Sequence, residues 1–131
     1  MNRAALLKMA TVVVAAYGVI WIALEGDLAR VLLLGLGVTM VAVGHLARRL
    51  PPPYTSGFRR LLVGGALGLL AGAGAALATL ALMALKTGLH AHGPEFTVEE
   101  IRWVVSRLPW WAAGGALAGL GGALLITGRA R

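Results

Sequence analysis

Hydrophobic positions gather into four runs, at residues 4–24, 28–47, 61–85 and 108–127, parted by short polar or charged segments. A hydrocarbon core about 30 Å thick needs roughly 20 apolar residues to be crossed as a helix, so each run predicts a transmembrane span. The runs are not alike. The first is broken by Lys8, which leaves an uncharged stretch of 16 residues, 9–24. Lys8 lies within two turns of the start, so its ammonium can reach the headgroups along an apolar stem. The basic start at Arg3 also suits a secretory leader. However, no small-residue cleavage site followed by a polar mature chain comes after it, so an uncleaved first span is expected.

Glu25, Gly26 and Asp27 form a tight polar turn. The second run follows at once, with Arg30 near its start, His45 near its end and Arg48 and Arg49 closing it. A hairpin of two spans is the natural reading. Pro51, Pro52 and Pro53 cannot continue a helix, because proline lacks the N–H and clashes with the preceding turn. Residues 48–60 therefore read as a stiff basic loop, with Tyr54 and Phe58 suited to the membrane interface. The third run has 25 residues without a charge, long enough to span with tilt. The fourth has 20, also uncharged, and begins with Trp110 and Trp111, whose indoles favour the headgroup level.

The longest polar stretch separates the last two runs. Thr97 followed by Glu100 matches a capping box, in which each side chain bonds the other residue's backbone N–H. Ile101, Val104, Val105 and Leu108 then recur at helical spacing, and Pro109 stops, kinks or restarts the helix. The expectation is a short amphipathic helix at about 97–108, lying on the membrane surface. The predicted fold is all-α: an integral membrane four-helix bundle, one membrane domain over residues 1–131, with that surface helix between spans 3 and 4.

Composition supports lipid as the solvent. The chain is 59% hydrophobic and only 13% charged, against about 25% charged in soluble domains. Its mean hydropathy is +0.83. A net charge of +7 would suggest nucleic acid in a soluble protein, but here the basic residues sit at the ends of apolar runs. No basic stripe interleaved with aromatics is present, so nucleic acid is not an expected partner. Arg3, Lys8, Arg48, Arg49, Arg59, Arg60, Arg129 and Arg131 would share one side of the membrane, with Arg30, Lys86, Arg102 and Arg107 on the other. That bias predicts both termini in the cytoplasm and a multi-pass protein of the inner (plasma) membrane. All five acids fall on the second side.

Cysteine is absent, which excludes disulfides, thiolate metal sites and cysteine nucleophiles. Glutamine is missing, Asn2 is the one asparagine and arginine outnumbers lysine ten to two. Such a bias fits a heat-loving source or a GC-rich genome.

Between helices in lipid, close backbone packing replaces the hydrophobic effect, so small residues at four-residue spacing mark interfaces. Gly64, Gly68, Gly72 and Ala76 form one such stripe on the third run. Gly115, Gly119 and Ala123 form another on the fourth, flanked by Gly114, Ala118 and Gly122. Spans 3 and 4 are the tightest predicted pair.

The densest polar chemistry lies at the end of the third run. Two imidazoles and a carboxylate, His90, His92 and Glu95, could ligate zinc or a similar divalent ion. Gly88 and the Gly93, Pro94 step favour an unwound backbone there. Histidine also titrates near 6.5, which adds a pH-sensing reading. The plainer reading is a polar end to a span, with the histidines at headgroup level and Lys86 reaching out to water. His45, at the opposite end of its span, disfavours a bis-histidine haem. The spans carry no charged residue away from their ends, and their main polar groups are Thr11, Tyr17, Thr39 and Thr79. That argues against an autonomous proton-coupled transporter. No nucleophile triad, Walker loop or catalytic carboxylate pair is present. The function expected is therefore a non-enzymatic accessory or structural subunit of a membrane assembly, without a cofactor. Its partners would be the lipid bilayer and a membrane protein or further copies of itself. The alternatives are a metal-binding or pH-sensing module on His90, His92 and Glu95, and a small oligomeric channel or carrier.

Overall fold

The computed structural model describes residues 2–50, 56–89, 93 and 95–128. They form four helices: α1 (Arg3–Ala23), α2 (Leu28–Arg49), α3 (Gly57–Leu89) and α4 (Val98–Gly128). All four are long and apolar enough to cross a membrane. At 1.5 Å per residue, the 33 residues of α3 run about 50 Å and the 31 of α4 about 46 Å. Both exceed a hydrocarbon core of about 30 Å, so a turn or more of each would stand in the headgroup region or beyond.

Local chemistry sets most helix ends. The first N–H groups of a helix lack partners, and short polar side chains supply them. Asn2 accepts from the N–H of Ala4 at 3.1 Å, Asp27 from Arg30 at 3.0 Å and Ser56 from Arg59 at 3.2 Å. At the start of α4 the box closes both ways. Thr97 Oγ1 accepts from the Glu100 N–H at 3.2 Å, and Glu100 Oε2 accepts from the Thr97 N–H at 2.7 Å. α2 ends at Arg49, and Leu50 turns to an extended conformation (φ −73°, ψ 136°), as a residue before proline must.

α3 is the hub: it packs along α4 on one side and α2 on the other, while α1 leans mainly on α2. The α2 and α3 backbones meet at Gly35, where a Cβ would sit 2.9 Å from the Thr79 nitrogen and overlap the Thr79 hydroxyl. Thr79 is fully buried there and turns its hydroxyl onto the Ala75 carbonyl of its own helix at 2.8 Å. The buried core, Trp21, Val31, Leu34, Ala76, Met83, Phe96 and Val104, lies toward the end where the 24–27 turn meets Glu95.

The short surface helix expected at 97–108 does not stand apart. Those residues are the first turns of α4, which continues through Pro109 to Gly128. The reason is a single apolar stripe. Val104 is fully buried, and Leu108 and Trp111, four and seven residues on, pack against the same core. Breaking the helix at Pro109 would turn part of that stripe away. The cost of continuity is the Val105 carbonyl, which loses its donor where proline has no N–H. Ile101 and Val105 in the same turns are exposed.

Candidate functional site

Three features concentrate the chemistry of the chain. The first is at the end of α3 that meets the 24–27 turn. α1 ends with no basic residue in its last turn, so the partial negative charge of its terminal carbonyls is unmatched from within the helix. Lys86, from α3, supplies the cation. It is fully buried, and its ammonium donates to the carbonyls of Trp21, at 3.2 Å, and Leu24. The same nitrogen lies 3.1 Å from Glu95 Oε2 and 4.8 Å from the centre of the Trp21 ring. Two of the ammonium's three N–H donors thus meet carbonyls, and the carboxylate pairs with its charge. Gly26 lets the turn approach, since a Cβ there would come within 2.7 Å of the Glu95 carbonyl oxygen.

This corrects the reading that Lys86 reaches out to water: it points inward and ties α1, α3 and the segment before α4 together. Sequence reasoning missed Trp21, Leu24 and Gly26 as its partners. The one available signal was a helix C-terminus without a basic residue at the same end as an unassigned lysine. Of the proposed metal ligands, His90 and His92 lie outside the described residues, as does Pro94. Glu95 is engaged by Lys86, so a cation there would have to displace the ammonium. Among the described residues no three histidine, aspartate or glutamate side chains gather. Gly88 is helical, within α3, and Gly93 takes a left-handed conformation (φ 106°) that favours glycine. At the opposite end of the bundle His45 Nε2 lies 3.2 Å from Thr11 Oγ1. That hydroxyl gives its one proton to the Leu7 carbonyl at 2.8 Å, which leaves His45 to donate.

The second feature is the seam between α3 and α4. A Cβ on Gly64 would lie 2.7 Å from the Gly119 carbonyl oxygen and 2.8 Å from the Ala123 Cβ. On Gly68 or Gly72 it would overlap the carbonyl oxygens of Gly115 and Trp111, and on Gly115 or Gly119 those of Gly68 and Gly64. The five glycines Gly64, Gly68, Gly72, Gly115 and Gly119 thus face one another at backbone contact. This geometry permits dense dispersion contact and Cα–H···O bonding.

The third feature is an apolar groove of about 1270 Å³ between α2 and α4, with α3 as its floor. Leu36, Met40, Val43 and Ala47 form one wall, and Gly114, Ala118 and Gly122 the other. Arg60 stands at one end and Trp110 and Trp111 toward the other. Among the described residues no atom lies within 4 Å of where a Cβ on Gly114 or Gly122 would be, so they leave this wall bare.

No protein-family model matches the sequence, and neither a curated protein nor a solved structure matches the chain.

Proposed function

We propose that this chain is a non-enzymatic accessory or structural subunit of a membrane assembly, held in the inner (plasma) membrane with both termini cytoplasmic. The observation that carries the reading is where the polar groups of the helices go. Thr39, Thr79 and Lys86 are buried inside the chain, Thr79 and Lys86 bonding backbone carbonyls of the chain's own helices. Side chains held in this way build a scaffold. A channel would need a row of hydroxyls facing a common path, and these are turned into helix contacts. The orientation rests on the arginine-rich end at residues 48–60 and at both termini.

The test is gentle detergent extraction from native membranes, with a parallel assay of the purified chain in liposomes. A stoichiometric membrane-protein partner, whose assembly fails when this chain is removed, is the expected result. Transport or turnover by the chain alone would overturn the proposal. The reading of His90, His92 and Glu95 as a divalent-cation or pH-sensing cluster has its own test. Zinc titration of the native protein and the His90→Ala, His92→Ala variant should give the same result if that reading is wrong.

A further inference from the structure

The close contacts between helices set a common scale of depth. Along the α3 and α4 seam, Gly64 faces Gly119, Gly68 faces Gly115 and Gly72 faces the Trp111 carbonyl. The next step of the same register brings Arg107 level with Ala76. On the other side of α3, Gly35 meets Ala75 and Thr79, and Gly74 meets Thr39. Continued along both helices, that register sets Asp27 level with Lys86 and Arg49 level with Gly64. From Asp27 to Arg49 is about 33 Å of helix, close to the roughly 30 Å of a hydrocarbon core. On the membrane-spanning reading, these polar ends of α2 mark the two faces of the core.

Arg107 then stands near mid-membrane, since Ala76 is ten residues from Lys86, or about 15 Å along the helix. A fourth span beginning at 108 would leave Arg107 at the edge, but the unbroken α4 carries it inward. The side chain is exposed. Its guanidinium reaches one turn back toward the outer end and lies 5.3 Å from the centre of the Trp103 ring. By the same register Trp103 is still about 9 Å inside the level of Lys86. The ring offers a cation–π face but no counter-charge. All five carboxylate side chains of the sequence, Glu25, Asp27, Glu95, Glu99 and Glu100, belong to the described residues. They gather at the outer end, with Glu95 on Lys86 and Glu100 on Thr97, and none of them pairs with Arg107.

Arg107 belongs to an outward row. Trp103, Arg107, Trp110, Gly114, Leu117 and Gly121 recur at alternating intervals of four and three, the spacing by which one helix seats another at a shallow crossing. Trp103, Trp110 and Leu117 are exposed. Among the described residues nothing lies within 4 Å of a Cβ on Gly114 or Gly121, so a second backbone could come close there.

We propose that this row of α4 docks a transmembrane helix of another membrane protein, and that Arg107 pairs with an aspartate or glutamate which that helix carries inside the membrane. Charged side chains within the hydrocarbon ordinarily pair with one another or face a bundle interior. Guanidinium bonds a carboxylate through two parallel N–H groups. A second copy of this chain in the same orientation has its acids at the outer end and none at this depth. A lipid phosphate stays at headgroup level, above the guanidinium. The occupant is therefore a different chain with an intramembrane acid. The proposal rests on the accessory-subunit reading and adds the partner's chemistry and the point of contact.

The experiment compares the native chain with Arg107→Leu, Arg107→Lys and Arg102→Leu, each extracted gently from native membranes with the protein it holds. Arg102, five residues earlier, lies on a different side of the helix and serves as the control. Partner retention should fall about tenfold or more in Arg107→Leu, the scale of a polar pair between membrane helices. It should largely return in Arg107→Lys and hold in Arg102→Leu, and Arg107→Leu should leave the unfolding of the purified chain unchanged. The partner should carry an acid within one span. Its change to asparagine or glutamine should release the partner as far as Arg107→Leu does, with no further loss when the two are combined. A photoreactive residue in place of Leu117 should cross-link to that same span. A partner that stays on Arg107→Leu, or that has no acid in its spans, would overturn the proposal and leave the accessory role standing. Cross-links confined to lipid would do the same. The absence of any partner would overturn both.

Discussion

Replacing Gly68 by alanine adds one methyl group where two helix backbones already touch. The new Cβ would lie 2.9 Å from the Gly119 Cα and overlap the Gly115 carbonyl oxygen. Carbon atoms rest at about 3.5–4.0 Å, so the helices must part locally by about 0.6–1 Å. A gap of that size removes a quarter to a half of the dispersion energy of each contact it opens, and Gly64 and Gly72 flank the site on the same seam. Overpacking of this kind costs about 1–3 kcal/mol, and about 2 kcal/mol is expected here. The same substitution at Gly114 meets nothing within 4 Å among the described residues. There alanine gains helix propensity, up to about 1 kcal/mol in water, so stability should hold or rise. Unfolding in mixed detergent with rising dodecyl sulfate, followed by the fluorescence of the four tryptophans, measures both. Opposite outcomes for two glycine-to-alanine changes, one in the seam and one on the groove wall of α4, isolate packing from composition. If Gly68→Ala is as stable as the native chain, or if both variants shift together, the seam is not what holds α3 to α4.

Lys86→Met should be among the most damaging single changes. It removes the cation from beside the Glu95 carboxylate and the α1 carbonyls, and breaking one partner of a buried pair costs about 3–5 kcal/mol. Adding Glu95→Gln should recover a good part of that loss, so a double-mutant cycle by the same unfolding assay should give clear coupling, whereas independent, additive losses would sever the link between the two residues. Thr97→Ala removes one half of the capping box and should cost about 1 kcal/mol. Hydrogen exchange should then quicken in the first turn of α4, and unchanged protection there would show the cap to be idle.

The four helices were legible because four long apolar runs stand out along the chain, and because Asp27, Thr97 and the prolines after Leu50 punctuate them. The ends were less so. α3 begins at Gly57 and reaches Leu89, beyond the apolar run at 61–85, because Arg59, Arg60 and Lys86 continue a helix about as readily as leucine does. Pro109 was read as a boundary since proline usually is one. What kept α4 whole was the alignment of Val104, Leu108 and Trp111 on one core, and that core draws on all four helices and Phe96. Lys86 was misread for a similar reason. A lysine at a span end ordinarily reaches water, and the acceptors that turn this one inward, Trp21 and Leu24, lie more than sixty positions away in the sequence. Gly35 against Thr79 had no sequence signal beyond two small residues on different spans.

The central claim is that four helices cross the bilayer with the arginine-rich end inside. The chain has no cysteine, so single cysteines can report sidedness without interference. Asn2, Glu25, Phe58 and Glu99 are all exposed in the structure, at alternate ends of the helices. Each would be replaced by cysteine and treated with a membrane-impermeant maleimide on intact cells. Positions 25 and 99 should label at once, and positions 2 and 58 only after the membrane is opened. Labelling of 2 and 58 on intact cells would invert the orientation. Labelling of 25 and 99 on opposite sides would contradict the four-span account itself.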